Sequence, residues 1–314
     1  MPKISIVVPI YGVEKYIERC CKSLFRQTLS DLELIFVNDC TKDNSMSIVY
    51  KMIEENKEYL ANKGYSIKII DLQKNGGLPS ARRQGIIVST GDFVMNCDSD
   101  DWIDETMCEE MYNKAIIDNC DFVVCDYYLS DGESLKQYVK RPPYITDTKG
   151  PLWNRLSKRN LFNNIIFPTS NKAEDGAIVT QLNYYAKKRG YVSKPLYYYY
   201  VNPESMCRVF SKEACINRFE QERTNVELRE AFLKSKMVEK VYKNEIVMMK
   251  HYALSNLLPF IKEKNVYLIW RNAFPEIKKQ MFFSLKIPFG VRITYILTYY
   301  RLFKLLFYLK RIKE

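Results

Sequence analysis

The first part of the chain alternates between short apolar runs and longer segments of mixed polarity. Five short runs are rich in β-branched residues and lack polar alternation, as is typical of strands buried on both faces. They are Ile4–Val8, Leu32–Val37, Ile67–Leu72, Phe93–Cys97 and Phe122–Cys125. Segments of helix length lie between them, at Val13–Gln27, Ser45–Leu60, Pro79–Ser89 and Glu105–Asn119. This alternation predicts βαβ units, and therefore an α/β fold with a mostly parallel sheet flanked by helices.

The last third of the chain has a helical composition instead. Ten of the eleven glycines lie at or before Gly190, and only Gly290 follows. The stretch Lys212–Leu258 contains neither Gly nor Pro and is predicted to be helical. The pattern therefore predicts an α/β domain over residues 1–208 and a helical extension over residues 209–314.

The net charge of +11 is concentrated at the end of the chain. Nine Lys or Arg residues and no Asp or Glu lie between residues 277 and 313, so this tail carries +9 of the +11. A nucleic-acid binder more often spreads basic residues over its folded domain, and we expect no nucleic-acid partner. Within residues 291–312, Arg301, Lys304 and Arg311 share one face of a predicted basic amphipathic helix. Such a helix favours an anionic membrane surface; the alternative is a helix packed on the protein's own core.

These features predict a cytoplasmic protein that is peripheral at the inner face of the cytoplasmic membrane. The nine cysteines are odd in number and form no C-x-x-C pair, which fits reduced thiols better than disulfides or a zinc site. Residues 1–9 lead directly into a strand-like segment, so we expect no signal peptide. No apolar run reaches the roughly 18 residues of a spanning helix.

The ends of the predicted strands carry the candidate chemistry. Ligands of open parallel sheets bind beyond the carboxyl ends of the strands. Asp39, Asp71 and the run Asp98–Asp101 follow the second, third and fourth strands. Carboxylates gathered at one edge repel each other unless a cation joins them, and Mg²⁺ or Mn²⁺ with a diphosphate would supply that charge. The alternative is that Asp98–Asp101 forms a turn and helix cap before Trp102.

Several enzyme classes lack their motifs in this chain. The first strand is followed by Pro9–Val13 rather than by G-x-G-x-x-G, and no Walker A motif occurs, which argues against dinucleotide oxidoreductases and P-loop enzymes. His251 is the only histidine, so histidine triads and histidine-rich metal sites are excluded. A general base would therefore be a carboxylate. Glu174 and Asp175 open a helical run and are candidates, with a helix cap as the alternative.

A set of motifs in a fixed order resembles glycosyltransferase family 2, whose members have the GT-A fold. The resemblance covers about residues 3–208. The matching segments are Ile6–Tyr11 (IVVPIY), Asn38–Ser45 (NDCTKDNS), Asn75–Gly85 (NGGLPSARRQG), Gly91–Asp101 (GDFVMNCDSDD), Trp153–Phe162 (WNRLSKRNLF), Glu174–Asp175, and Pro195–Tyr200 (PLYYYY) ahead of Asn202–Ser205.

The resemblance implies roles on the donor side of a site. Asp39 would accept hydrogen bonds from the base, and Arg82 would approach the nucleotide or its phosphates. Asp98 would contact the ribose or the metal shell, and Asp100 would be the principal ligand of Mn²⁺ or Mg²⁺ on the diphosphate. The residues implied to bind the nucleotide sugar are Pro9, Tyr11, Asp39, Arg82, Asp98 and Asp100.

On the acceptor side, the resemblance implies that Asp175 is the catalytic base. A carboxylate can take the proton of a hydroxyl while the hydroxyl attacks. The residues implied to shape the acceptor side are Trp153, Asn154, Lys158 and Glu174.

The resemblance thus implies an inverting, nonprocessive glycosyltransferase of the hexosyltransferase type. The expected donor is a UDP-sugar, and the expected acceptor is a glycan or lipid-linked glycan of a bacterial surface polysaccharide. Three departures from the family pattern, at Gly12, Cys40 and Arg83, bear on donor preference. A catalytically inactive sugar-nucleotide binding or scaffold protein and a nucleotidyltransferase are the alternatives. Loss of Asp100 or Asp175 would favour the inactive protein, yet both residues are present. A nucleotidyltransferase would require a Gly-rich basic loop after the first strand, and residues 9–14 offer none.

Overall fold

The protein folds into two compact units, Met1–Pro203 and Glu204–Glu314. The computed structural model describes residues 1–141, 150–202 and 211–311, with side chains to residue 309. The domain boundary predicted after residue 208 lies outside the described residues. Each unit is described by itself below.

The first unit is built on one sheet, to which the described residues contribute nine strands. They are β1 (Ile4–Ile10), β2 (Leu32–Asn38), β3 (Ser66–Asp71), β4 (Phe93–Asn96), β5 (Trp102–Ile103), β6 (Phe122–Ser130), β7 (Leu135–Val139), β8 (Arg155–Lys158) and β9 (Arg189–Tyr200). The strand order is β3-β2-β1-β4-β8-β6-β9-β5, with β7 paired to β6. The strands β3, β2, β1 and β4 are parallel neighbours, and β6 pairs with β9 in parallel.

The α/β fold and the five predicted strands are confirmed, but the sheet is more mixed than its first half suggested. The four-residue strand β8 lies between β4 and β6 and is antiparallel to both. Its sequence, Arg-Leu-Ser-Lys, has one apolar residue, so hydrophobicity alone did not mark it as a strand.

Six helices connect the described strands of this unit. They are α1 (Ile17–Phe25), α2 (Ser45–Glu55), α3 (Lys57–Asn62), α4 (Leu78–Val88), α5 (Met107–Ile117) and α6 (Glu174–Tyr185), with a 3₁₀ helix at Arg159–Asn164. The predicted helix Val13–Gln27 begins four residues late, because Gly12 has a φ of +68° and a turn follows it. The predicted helix Ser45–Leu60 is divided at Asn56.

The sheet buries apolar side chains on both faces, as its sequence pattern predicted. On one face, Ile6 and Val8 of β1 pack in the same core as Leu24 of α1 and Met111 of α5. On the other face, a second core joins β1 and β2 to α4 and α6 through Val7, Ile35, Ala81, Ile178 and Val179. The helices α4 and α6 are therefore held on the same side of the sheet.

The second unit contains only helices among its described residues. They are α7 (Lys212–Ser235), α8 (Lys243–Ser255), α9 (Lys264–Ala273), α10 (Lys278–Phe283), α11 (Phe289–Tyr299) and α12 (Phe303–Arg311), with 3₁₀ turns at Leu258–Phe260 and Pro275–Ile277. The predicted helical stretch Lys212–Leu258 is broken after α7, where Met237 has a φ of +56°. No helix in the described part of the chain is long and apolar enough to cross a membrane.

The prediction of a single amphipathic helix over residues 291–312 is wrong. Two helices, α11 and α12, occupy this stretch, and Arg301 lies between them with a φ of +60°. A left-handed residue ends a right-handed helix, so Arg301 does not share a helical face with Lys304 and Arg311. Residue 312 lies outside the described residues.

Candidate active site

A single buried guanidinium joins three of the predicted site carboxylates. Arg82 lies in α4 and is 1% exposed. Its Nη2 donates a hydrogen bond of 2.6 Å to Oδ1 of Asp98, and its Nη1 donates to both Glu174 and Asp175. Asp98 follows β4, whereas Glu174 and Asp175 begin α6. Arg82 therefore brings the end of a strand at Asp98 and the start of a helix at Glu174, which are 76 residues apart in sequence, into one site.

The register of the parallel strands explains why these groups lie at one edge. Ile10 of β1 pairs with Asn38 of β2, and Val7 of β1 pairs with Asn96 of β4. The residues that follow these strands, Asp39 and Asp98, therefore emerge beside the end of β1. This is the edge at which open parallel sheets bind ligands.

The site holds more negative than positive charge. Burial, followed by the charge of Asp175, raises the pKa of Asp98 against the opposing effect of Arg82. Burial raises the pKa of Glu174 well above its usual value, although Arg82 opposes this as well. Burial and the charge of Asp98 raise the pKa of Asp100 to about 6. In all three, burial outweighs the neighbouring positive charge and disfavours the charged form of the carboxylate.

The residues of the acidic run Asp98–Asp101 have different partners and therefore different roles. Asp101 is buried and serves the fold: its Oδ1 accepts a hydrogen bond of 2.6 Å from the backbone N–H of Tyr200, and its Oδ2 accepts one of 2.7 Å from the hydroxyl of Tyr197. The run does form a turn, in which the N–H of Asp101 donates a hydrogen bond of 3.0 Å to the carbonyl of Asp98, but Trp102 begins β5, so the run does not cap a helix there. Asp100 is half-buried, and its backbone carbonyl accepts a hydrogen bond of 2.9 Å from Arg19. Its carboxylate is the one left for a ligand.

The carboxylates fit a divalent cation that also has ligands from elsewhere. Among the described residues, no group of three or more His, Cys, Asp or Glu side chains could hold a metal ion. Carboxylate oxygens are nonetheless the ligands that Mg²⁺ and Mn²⁺ accept, and Mg²⁺ is commonly bound by one or two carboxylates together with substrate phosphates and water. Asp100 and Asp98 match that partial donor set.

The residues predicted to line the nucleotide pocket lie at two turns that contain left-handed residues. Gly12 and Cys40 have φ values of +68° and +57°. The family often has Gly where this chain has Cys40, and the positive φ gives the physical reason. The N–H of Gly12 donates to the hydroxyl of Thr41 at 2.8 Å, which joins the two turns. Pro9 is buried at this edge, whereas the side chain of Tyr11 is 52% exposed beside it.

Asp39 lies at the same edge of the sheet, and its carboxylate already accepts two hydrogen bonds. It is buried, and its two carboxylate oxygens accept hydrogen bonds of 2.7 and 2.8 Å from the backbone N–H groups of Gly76 and Gly77. Gly77 has a φ of +78°, and a Cβ there would lie 2.4 Å from the side-chain oxygen of Asn171. A side chain at position 77 would therefore be strained, and contact between Asp39 and a base stays a prediction.

Two of the predicted acceptor-side residues, Trp153 and Asn154, are buried, and they differ in what they contact. Trp153 is buried and stacks on Tyr197 with ring centroids 4.2 Å apart, and Tyr197 in turn accepts a hydrogen bond of 3.1 Å from the N–H of Asp98. Trp153 is therefore linked to the acidic run through Tyr197. Asn154 is buried and donates to the carbonyl of Cys125 at 2.7 Å, which is a structural contact.

Lys158 is not brought to the site. It pairs with Phe93 at the start of β4, and its ammonium group lies 3.1 Å from Asp121. Because β4 runs from Phe93 toward Asp98, Lys158 is at the opposite end of the strand from the acidic run. The motif located this residue in the sequence, but the antiparallel direction of β8 turns it away.

Two contacts of the acidic run were not expected from the sequence. Tyr197 bridges Asp98 and Asp101 through one hydroxyl, and Arg19 holds the carbonyl of Asp100. The run of four tyrosines at 197–200 was a signal for the first, since alternate residues of a strand face opposite sides. No pattern around Arg19 in α1 marks its contact.

Comparisons with known proteins agree with this arrangement. The family model described as "Glycosyl transferase family 2" matches residues 5–173. The chain belongs to glycosyl transferase family 2. It is accordingly a glycosyltransferase, and the motif resemblance is confirmed. A Bacillus subtilis (strain 168) protein named as a glycosyltransferase, EpsH, is 30% identical over 265 residues, which cover 78% of this chain and 73% of the relative.

Solved structures support the GT-A fold of this family 2 member. TarS 1-349 of S. aureus in complex with UDP-GlcNAc matches with a TM-score of 0.61 at 18% identity, over 97% of this chain and 89% of that chain. A mannosyltransferase of Pyrobaculum calidifontis in complex with GDP-Man and Mn²⁺ matches with a TM-score of 0.56 at 14% identity, over 88% of this chain and 80% of that chain. At these identities the likeness concerns the fold.

Proposed function

We propose that this glycosyltransferase moves one sugar at a time from a UDP-sugar to a hydroxyl of a glycan or lipid-linked glycan, with inversion and with a divalent cation. The contact that carries the proposal is the junction at Arg82, which sets Asp98 and Asp175 on opposite ends of one guanidinium. A nucleotide sugar bound along Asp98 and Asp100 would then present its sugar to the Asp175 side.

The chain's own residues supply two separable functions. The half-exposed Asp175 would accept the proton of the acceptor hydroxyl as that hydroxyl attacks the anomeric carbon. Asp100 and Asp98 would hold Mn²⁺ or Mg²⁺, which stabilises the negative charge that grows on the departing diphosphate. Attack from the side of a single base, opposite the leaving group, gives inversion.

The donor is proposed from the solved structures, and the biological setting from the family resemblance. UDP is favoured by the TarS structure, which was solved with UDP-GlcNAc, while the mannosyltransferase was solved with a GDP-sugar. Bacterial surface polysaccharide synthesis, on the cytoplasmic face of the membrane, is favoured by the family resemblance.

We propose that the segment in contact with the membrane, which we expected at residues 291–312, begins slightly earlier in the chain. Phe283, Leu285 and Phe289, between α10 and α11, are 75%, 91% and 75% exposed. Lys286 lies between Leu285 and Phe289, Arg292 follows three residues after Phe289, and no acidic residue lies between 277 and 313. Exposed aromatic and aliphatic side chains beside basic ones suit an anionic lipid surface.

Vesicle sedimentation tests the membrane part of the proposal. Replacing Phe283, Leu285 and Phe289 together by Ser should abolish co-sedimentation with phosphatidylglycerol vesicles. Met237→Ser, at an equally exposed position of the same unit, is the matched control. A chain lacking residues 280–314 that still pellets with these vesicles would remove the membrane role of the tail.

A thermal-shift screen with UDP-, GDP- and dTDP-sugars, with and without Mn²⁺, tests the transferase proposal, followed by hydrolysis assays on the hits. We expect UDP-sugars to raise the melting temperature most, and only with the metal. Ligand at about 100 times its Kd stabilises a protein by about 2.7 kcal/mol, which such a screen resolves. If none of the three nucleotides raises it, the donor assignment is refuted.

A further inference from the structure

A groove beside α1 is not used by the chemistry described so far. It encloses about 690 Å³, within the usual range of ligand sites. Its aromatic wall is Trp102 stacked on Tyr198, with ring planes 2° apart. Trp102 directly follows the acidic run Asp98–Asp101, so the groove is next to the proposed metal site but is lined by different side chains.

Basic residues follow the helical repeat along the α1 side of this groove. The lining contains Lys15, Arg19, Lys22 and Arg26, which are spaced by four, three and four positions. Arg19 and Lys22 lie within α1, Lys15 lies in the turn before it, and Arg26 is the residue that follows its end. Residues at such spacing share one side of a helix. Because a helix rises 1.5 Å per residue, Arg19 and Arg26 are separated by about 10 Å along its axis.

The acidic side chains of the lining are fewer and mostly engaged. The lining has three, against four basic ones. Glu18 pairs with Lys22, and Asp104 accepts hydrogen bonds of 3.0 and 2.6 Å from the N–H and hydroxyl of Thr106 at the start of α5. Glu105 is exposed at the rim. The lining therefore keeps a net charge of +1, and no ion pair joins Arg19 or Arg26 to these three carboxylates among the described residues.

Arg19 has unused donor capacity and a link to the acidic run. Its guanidinium lies 3.8 Å from the centroid of the Trp102 ring, and its Nη2 donates to the carbonyl of Asp100 at 2.9 Å. Its Nε is buried and has no hydrogen-bond partner among the described residues. Burial lowers the pKa of Arg19, while the charges of Asp101 and Asp100 oppose that shift. A ligand oxygen at the part of Arg19 that lines the groove would contact the residue that holds Asp100.

We propose that the α1 groove binds an extended glycan strand that carries anionic groups, phosphate or carboxylate, at a distance from the reacting hydroxyl. The ligand must be elongated because its cationic partners at Arg19 and Arg26 are two helical turns apart. Taking this strand to be part of the acceptor rests on the proposed transferase function. The groove, its charge and the contact of Arg19 with Asp100 do not.

Intrinsic fluorescence of Trp102 reports binding at this groove. The full chain is titrated with oligogalacturonate, with an oligo(glycerol phosphate) of similar length and with neutral malto-oligosaccharide, at low and high salt. We expect one of the two anionic probes to quench the signal with an affinity that falls as salt rises, since exposed charge pairs are screened. The two anionic probes distinguish carboxylate from phosphate. Trp102→Phe should remove the response.

A charge-removal variant locates the binding on α1. Lys22→Gln with Arg26→Gln should weaken the anionic probe by about 10-fold, the effect of roughly 1.4 kcal/mol. Lys51→Gln, an exposed lysine in α2, is the matched control and should bind as the wild type does. UDP binding measured on the same samples shows that each variant is folded.

Three results would overturn the groove assignment. They are no quenching by either anionic probe, equal binding of the neutral oligosaccharide, and unchanged affinity in the double variant. Each of these leaves UDP-sugar binding and hydrolysis intact, so failure of the groove and failure of the transferase proposal are distinguishable.

Discussion

Each of the two units contains a buried cation held by carboxylates, and the two networks differ in their charge balance. Lys250 of α8 pairs with Glu230 and Glu276, and Glu230 also pairs with Lys234. Two positive groups thus face two negative ones. Arg82 alone faces three carboxylates, which leaves an excess of negative charge even if the most buried one, Glu174, is protonated.

This difference separates a structural network from a functional one. A balanced network needs nothing more to be stable, whereas carboxylates with raised pKa values at the edge of a sheet are typical of a site that receives a charged ligand. The excess at Arg82 lies beside Asp100, where we propose that a cation and a diphosphate bind. The helical unit has a buried ion pair but no comparable excess within its Lys250 network.

The largest effect is expected at Asp175. Replacing Asp175 by Asn keeps the shape and removes the base, so kcat should fall by about 10²- to 10⁴-fold while UDP binding is retained. Glu174→Gln is the matched control. Glu174 is buried against Arg82, where it positions the guanidinium rather than receives the acceptor proton, so kcat should change by less than about 10-fold. Full activity of Asp175→Asn would refute the base assignment.

The two cations themselves provide the next comparison. Arg82→Gln leaves three carboxylates without a buried partner and should lower the free energy of unfolding by about 3–5 kcal/mol. In Lys250→Gln, Glu230 keeps Lys234 and the side chain of Glu276 is 54% exposed to water, so a smaller loss of about 1–3 kcal/mol is expected.

Because two units need not unfold together, hydrogen exchange followed separately in each unit is the appropriate measurement for this pair. Transfer activity should be lost in Arg82→Gln and kept in folded Lys250→Gln. Loss of activity in both variants, with both folded, would break the contrast between a functional and a structural network.

Much of the α/β unit could be predicted from the sequence because its strands are continuous apolar runs. Burial on both faces leaves a signal that does not depend on distant parts of the chain. The edge position of Asp39 and Asp98 followed from the same reasoning. The short polar strand β8 could not be found this way, and its direction decided the place of Lys158.

The ion pairs of the site were less predictable than its members. Family motifs supplied Arg82, Glu174 and Asp175, but a motif does not state which side chains meet. The sequence assigned Arg82 to the nucleotide, whereas the structure buries it among carboxylates. A direct contact between Arg82 and the diphosphate therefore stays a prediction that would require some of these hydrogen bonds to be exchanged.

Asp100 tests whether the excess charge serves a cation. Asp100→Ala should weaken Mn²⁺-dependent UDP binding by at least about 10- to 100-fold, the range seen when even an outer partner of a metal site is lost. Calorimetric titration with UDP, with Mn²⁺ and with a chelator, is the measurement. Asp104→Ala, beyond the acidic run, is the control. Unchanged affinity in Asp100→Ala would remove its metal role.

The smallest effect is expected at a third buried carboxylate, which faces one ammonium group and is therefore balanced in charge. This ion pair lies in the same unit as Arg82. The side chain of Glu33 in β2 is 1% exposed, lies 2.7 Å from Lys68, and accepts hydrogen bonds from Ser5 and Thr90. Although burial acts in the opposite direction, Lys68 and these hydrogen bonds lower the pKa of Glu33. The stability it provides is therefore present above the unfolded pKa of about 4.3 and is lost as the pH falls through the lower folded value.

Glu33→Gln should accordingly cost about 1–2 kcal/mol at neutral pH, as expected for hydrogen bonds to a charged group, with donor binding unchanged. The difference from the wild type should shrink at a pH below about 4, where the wild-type carboxylate becomes protonated too. Unfolding followed against pH in both proteins gives the comparison. If Glu33→Gln also lost donor binding, location in the α/β unit rather than charge imbalance would explain the behaviour of the Arg82 network.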